Sequence, residues 1–78
     1  MSKSKIMIVE DESIIAEDLA DSLEDMGYIV VDIVSSGEEA ILMAAEKQPH
    51  LILMDVMLQG EIDGITAAEE IYSSLQIP

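Results

Sequence analysis

Cysteine, tryptophan, phenylalanine and arginine never occur in this chain, and two tyrosines are all that it has of the large aromatic residues. Without cysteine there is no disulfide scaffold and no thiolate metal site. Without large aromatics a core has to be built from Ile, Leu, Val, Ala and Met. Positive charge is also scarce: three lysines (Lys3, Lys5, Lys47) face seventeen acids, for a formal charge of −14. That balance argues against direct nucleic-acid binding and against an anionic membrane surface, since phosphates would be repelled. It also implies self-repulsion, so salt or divalent cations should stabilise the fold. No run reaches the ~18 to 20 apolar residues of a membrane span and no signal-peptide pattern is present, so a cytoplasmic location is expected.

What the chain does have is hydrophobicity, at 50% of its 78 residues, enough for one small domain with a real core. Two continuous apolar runs stand out. Lys5-Ile6-Met7-Ile8-Val9 ends in Glu10-Asp11-Glu12, and Leu51-Ile52-Leu53-Met54 ends in Asp55. Runs without polar alternation read as strands buried on both faces of a parallel sheet. Pro49 prevents a helix from running into the second of them. Between the two lies a third strand, Tyr28 to Val34, rich in β-branched residues and interrupted by Asp32, as an edge strand would be.

Helices fill the gaps. Ser13 is the expected N-cap of the first, whose apolar stripe is Ile15, Leu19, Leu23 and Met26 and whose end is Gly27. Ser36-Gly37-Glu38-Glu39 is a capping box opening a helix to about Gln48, with Ala40, Ile41, Ala44 and Ala45 inward. A third helix, about Ile65 to Leu75, should bury Ala68, Ile71, Tyr72 and Leu75. Gln76-Ile77-Pro78 leaves it. The order β-α-β-α-β-α with short links implies right-handed crossovers and a three-layer α/β sheet, with the strand order left open.

If the first and third strands are neighbours, ~4.8 Å apart, Glu10, Asp11 and Asp55 meet at the carboxyl edge, where open α/β sheets bind ligands. Two such charges ~4 Å apart repel by about 4 kcal/mol at an effective dielectric of ~20. A hard divalent cation with oxygen ligands, Mg²⁺ by preference, would relieve this. Read separately, the same acids are ordinary turn and cap residues, and the pattern alone leaves both readings open. His50, the only histidine, reads as a turn or surface residue, and the methionines as core filler.

This constellation resembles the receiver domain of two-component response regulators: the acidic pair Glu10-Asp11 after strand one, the capped second helix, Asp55 after strand three, and Asp63-Gly64 opening helix three. The resemblance implies a flavodoxin-like parallel sheet, here only its first three βα units over residues 1–78, with the fourth and fifth units absent. It implies that Asp55 is the phosphoacceptor and that Mg²⁺ is held by Asp11, Asp55, the backbone carbonyl of Met57 and, through water, Glu10. A sensor histidine kinase is the implied phosphodonor, and the chain is a signalling domain, not an enzyme. The family's proline after the phosphoacceptor is missing, and the Leu58–Gly64 loop is one residue longer. With the fourth strand absent, strand three becomes an exposed apolar edge, so self-association is expected. The alternative is a non-phosphorylated module that only self-associates. A haloacid-dehalogenase-type phosphatase needs an acid where Met57 stands. A dinucleotide site needs glycines where Glu10-Asp11-Glu12-Ser13 stands, and the acids lack EF-hand spacing.

Overall fold

The computed structural model describes residues 3–56, 58, 60 and 62–78. Three parallel strands alternate with three helices: β1 (Lys5–Val9), α1 (Ser13–Asp25), β2 (Ile29–Val34), α2 (Gly37–Lys47), β3 (Leu51–Met54) and α3 (Gly64–Leu75). The strand order is β2-β1-β3. β1 is therefore the central strand, and its Ile6, Met7, Ile8 and Val9 are all at most 3% exposed. β2 pairs with β1 from Lys5–Ile29 to Val9–Val34, with one irregularity that passes over Val31. As its interrupting Asp32 suggests, β2 lies at an edge.

β3 pairs with the other side of β1, from Ile6–Leu51 to Val9–Met54. Its residues run from exposed to half-buried, so the expectation of a strand buried on both faces holds for β1 and fails for β3. Its outer side is not wholly open, because the amide of Ile52 donates to the carbonyl of Pro78 at 2.9 Å and Ile77 packs against the core. The reversal that brings the chain end back is made by Gln76, in the left-handed region at φ 58°.

The two sheet faces carry separate cores. α1 alone covers one, through Ala16, Ala20 and Leu23 on Ile6 and Ile8, with Leu19, Val30 and Leu53 half-buried around them. α2 and α3 cover the other, through Ala40, Ala44 and Ile71 on Met7, Val9 and Val34. Alanines at these contacts let helices approach the sheet closely, and this shifts the inward faces from those expected. Ala16 and Ala20 face inward on α1, whereas Ile15 (48%) and Met26 (66%) are exposed. On α3 Ala67 is buried while Ala68 and Tyr72 are exposed, and on α2 Ala45 is exposed. On α1 the shorter side chains of Ala16 and Ala20 take sheet-facing positions beside Leu23, and Ile15 stays in water.

The helix ends follow local chemistry. Ser36 Oγ accepts from the Glu39 amide at 3.2 Å, the N-cap half of the expected box, and Lys47 sits in the last turn of α2 where the dipole favours it. Asp63 caps α3 by accepting from the Thr66 amide at 2.8 Å. Ser13 does not cap α1: the N-cap is Glu12, with no side-chain bond to the helix. At the opposite end of the sheet from these acids, His50 brackets β1, its amide donating to the Lys5 carbonyl and its Nδ1 accepting from the Lys5 amide at 2.9 Å.

Candidate functional site

The carboxyl ends of β1 and β3 lie side by side because the Asp55 amide donates to the Val9 carbonyl at 2.9 Å, one step beyond the ladder. Glu10 is fastened on the other side, its amide donating to the Val34 carbonyl at 2.9 Å. Glu10 thus bridges the ends of β1 and β2, and Asp55 the ends of β3 and β1. Asp11 follows in the bend that leads into α1. The outcome is one cluster: a carboxylate oxygen from each of Glu10, Asp11 and Asp55, all within 4.8 Å of one another and all from half-buried residues.

The electrostatics of this edge are strained. Desolvation raises the Glu10 carboxyl above its ordinary value, and the neighbouring Asp11 and Asp55 carboxylates push it further the same way. The Glu12 amide, donating to Glu10 Oε2 at 3.2 Å, opposes the shift. That amide belongs to the entrance of α1, whose N-terminal dipole also favours negative charge. The donor set is all oxygen, compact and partly open to solvent beside a shallow depression lined by Leu19, Leu53 and Met54. It matches the preferences of Mg²⁺, which takes one or two carboxylates and keeps several waters.

Of the residues expected at the site, Glu10, Asp11 and Asp55 come together, whereas Met57 lies outside the described residues. Two further residues shape the surroundings. Gly64, the first residue of α3, packs so tightly under Asp55 that a Cβ there would collide with the Asp55 carbonyl oxygen and the Val56 Cα. Glu38, at the second position of α2, accepts from the Ile62 amide at 3.0 Å across 24 residues of sequence. The Asp-Gly pair at 63–64 was a visible signal for the first. Nothing in sequence marks Glu38 apart from the capping Glu39 next to it.

Residues 6–78 match the response regulator receiver domain model. Transcriptional regulatory protein PdtaR of Mycobacterium tuberculosis is 40% identical over 74 residues, covering 95% of this chain and 36% of that protein. The phyllosphere-induced regulator PhyR of Methylorubrum extorquens is 34% identical over 76 residues, covering 96% and 28%. Among solved structures, the signal receiver domain of a modulated diguanylate cyclase from Desulfovibrio desulfuricans superposes with a TM-score of 0.93 at 34% identity, covering 99% of this chain and 61% of that one. Anti-anti-sigma factor PhyR of Bartonella quintana, in complex with the anti-sigma factor NepR, gives 0.89 at 38% identity, covering 97% and 31%. The chain spans about a third of the length of PdtaR and of the Methylorubrum PhyR. Over that span, in sequence and in fold, the chain belongs to the response regulator receiver domain family.

Proposed function

We propose that this chain is a phosphoacceptor receiver of a two-component system, taking a phosphoryl group on Asp55 from a sensor histidine kinase. The observation that carries the reading is the meeting of Glu10, Asp11 and Asp55 within 4.8 Å at the carboxyl edge of the sheet. An Asp55 carboxylate oxygen attacks phosphorus, the new O–P bond forms as the donor's P–N bond breaks, and the departing imidazole nitrogen keeps the electron pair and takes a proton. Asp11, Asp55 and the Met57 carbonyl would hold Mg²⁺ directly and Glu10 through water. That cation would offset the charge gathered by the carboxylates and the phosphoryl oxygens. Asp11 and Glu10 are thus the charge-placing residues and Asp55 the nucleophile. The chain accepts a group once and carries it as a signal, which makes it a signalling domain with a cytoplasmic kinase as partner.

Incubation with acetyl phosphate and Mg²⁺ should add one phosphoryl mass to the intact chain. The addition should be lost with EDTA and in Asp55→Asn. Equal labelling of Asp55→Asn would rule out Asp55 as the acceptor.

The half-exposed β3 supports one further property, pairing with a second copy. Beside it an apolar cavity is lined by Ile52, Met54, Ile71, Tyr72 and Ile77, with Tyr72 60% exposed. Sedimentation velocity should show association in the micromolar range. A monomer throughout that range would exclude it.

A further inference from the structure

Glu38 and Glu39 are adjacent in sequence and do different work. Glu39 turns back to the cap of α2, where its Oε1 accepts from Ser35 Oγ at 3.1 Å and Ser36 Oγ at 3.3 Å. Glu38 turns away, to the loop that leaves Asp55, and accepts from the Ile62 amide at 3.0 Å. Two glycines make room for this. A Cβ on Gly60, which has a φ of 114°, would stand 3.3 Å from Glu38 Oε2. A Cβ on Gly37 would stand 2.9 Å from the Ile62 carbonyl oxygen and 3.2 Å from its Cγ2. Ile62 therefore rests on the bare first turn of α2, with the Glu38 carboxylate beside Gly60. At the far end of the loop Gly64 is pressed against the Asp55 carbonyl. Among the described residues that follow Asp55, Ile62 is held by a hydrogen bond and Gly60 and Gly64 by close packing.

We propose that Glu38 is a positioning residue: its carboxylate latches the loop after Asp55 to α2 and thereby sets how tightly the acid cluster holds a divalent cation. This rests on the Mg²⁺ reading above, in which the loop supplies the Met57 carbonyl as a ligand. A site whose ligands come from two strand ends and a loop binds tightly only when the loop is already in place. Ordering it beforehand removes that cost from the binding step. The latch is the hydrogen bond that the Ile62 amide donates to the Glu38 side-chain oxygen, and it pins a loop that holds no proline.

The test is a Mg²⁺ titration of the ¹⁵N-labelled 78-residue chain followed by amide NMR, together with hydrogen exchange at the Ile62 amide. Glu38→Ala should weaken Mg²⁺ binding about fivefold, the effect of losing one such bond, and speed exchange at Ile62 by a similar factor while Ile8 and Val9 exchange as before. Glu38→Gln, which keeps an acceptor oxygen but no charge, should restore both to within about twofold. The proposal is overturned if Glu38→Ala leaves Ile62 exchange or Mg²⁺ affinity unchanged. It is equally overturned if Glu38→Gln behaves like Glu38→Ala, since charge rather than the bond is then the cause. A wild-type chain that does not bind Mg²⁺ at all overturns the acid-site reading itself and this proposal with it. Tight binding in the wild type with no change in Glu38→Ala overturns the latch alone.

Discussion

Replacing Asp11 with Asn should make the metal-free protein more stable, not less. The three carboxylate oxygens lie within 4.8 Å of one another, so Asp11 takes part in two repulsive pairs. At that separation each pair costs about 1 kcal/mol with water-like screening and about 3.5 kcal/mol at an effective dielectric of ~20. The residues are half-buried beside an open depression, which places the truth nearer the first figure. Removing one charge then relieves about 2 kcal/mol, or roughly 10 °C in Tm for a domain of this size. Asn keeps the shape and one acceptor oxygen, so the comparison isolates charge.

The assay is thermal unfolding by circular dichroism in low-salt buffer with EDTA, repeated with Mg²⁺ and at ~1 M KCl. In high salt the Debye length falls to ~3 Å, shorter than the separation of the acids, and the advantage of Asp11→Asn should shrink. With Mg²⁺ at ~100 times its Kd the wild type should gain about 2.7 kcal/mol and the variant much less, reversing their order. Two results refute the reasoning. Asp11→Asn could unfold below the wild type in EDTA at low salt, showing that Asp11 is a structural hydrogen-bonding group. Or Mg²⁺ could stabilise both equally, showing that it screens the whole −14 surface and not this cluster.

The remaining expectations concern the frame around the acids. Gly64→Ala should destabilise by about 3 kcal/mol, the upper end for overpacking, because the added methyl meets backbone at Asp55 and Val56 and no rotamer change removes the clash. An unchanged urea midpoint would show that α3 can shift away. Met7→Ala removes the core of the central strand at 0% exposure and should cost about 2–5 kcal/mol, against a total of roughly 4–12 for a chain of this length. A cooperative transition within 1 M urea of the wild type would contradict that. The Asp63 carboxyl is held below its ordinary value by the Thr66 amide. Its stabilising effect is therefore present above the unfolded carboxylate range, near pH 4, and fades as pH falls through the lower folded value. The stability gap between wild type and Asp63→Ala should close on acidification, and a gap constant down to pH 2 would show that the cap does not depend on charge.

Element order could be read from sequence because it rests on local chemistry, whereas the acid cluster also needed the first and third strands to be neighbours. A strand of four apolar residues ending in acid, a Ser-x-x-Glu box and an Asp-Gly helix entrance need no knowledge of the partner element. The strand order β2-β1-β3 could not be read from pattern, since nothing local in a strand names its neighbour. Pattern could not have supplied the difference between the two apolar runs either. Ile6–Val9 and Leu51–Met54 look alike in sequence, yet only β1 has a strand on each side. Helix faces failed for a related reason. Counting large apolar residues favours Ile15 and Tyr72, whereas close packing on a sheet selects Ala16, Ala20 and Ala67. Glu38 was invisible because its partner is a backbone amide 24 residues away, and any side chain at position 62 other than proline would offer the same donor.

The half-exposed position of β3 raises the question of whether Asp55 depends on what lies along its outer side. The hydrogen bonds answer it. Asp55 is fastened inward, to Val9 of the central strand, and Glu10 is fastened to Val34 on the other side of that strand. Both bonds run through β1, the most buried element, and neither uses the outer edge of β3. That edge is engaged one pleat earlier, where the Ile52 amide meets Pro78, at a residue whose side chain faces α3 and not the acids. Disturbing the outer edge, for example by pairing with a second copy, should therefore perturb the apolar cavity under Tyr72 before it moves Asp55. Amide NMR at rising protein concentration distinguishes the two: shifts confined to Ile52, Tyr72 and Ile77 fit this inward anchoring. Equal shifts at Glu10 and Asp55 would show that the acid cluster leans on the edge after all.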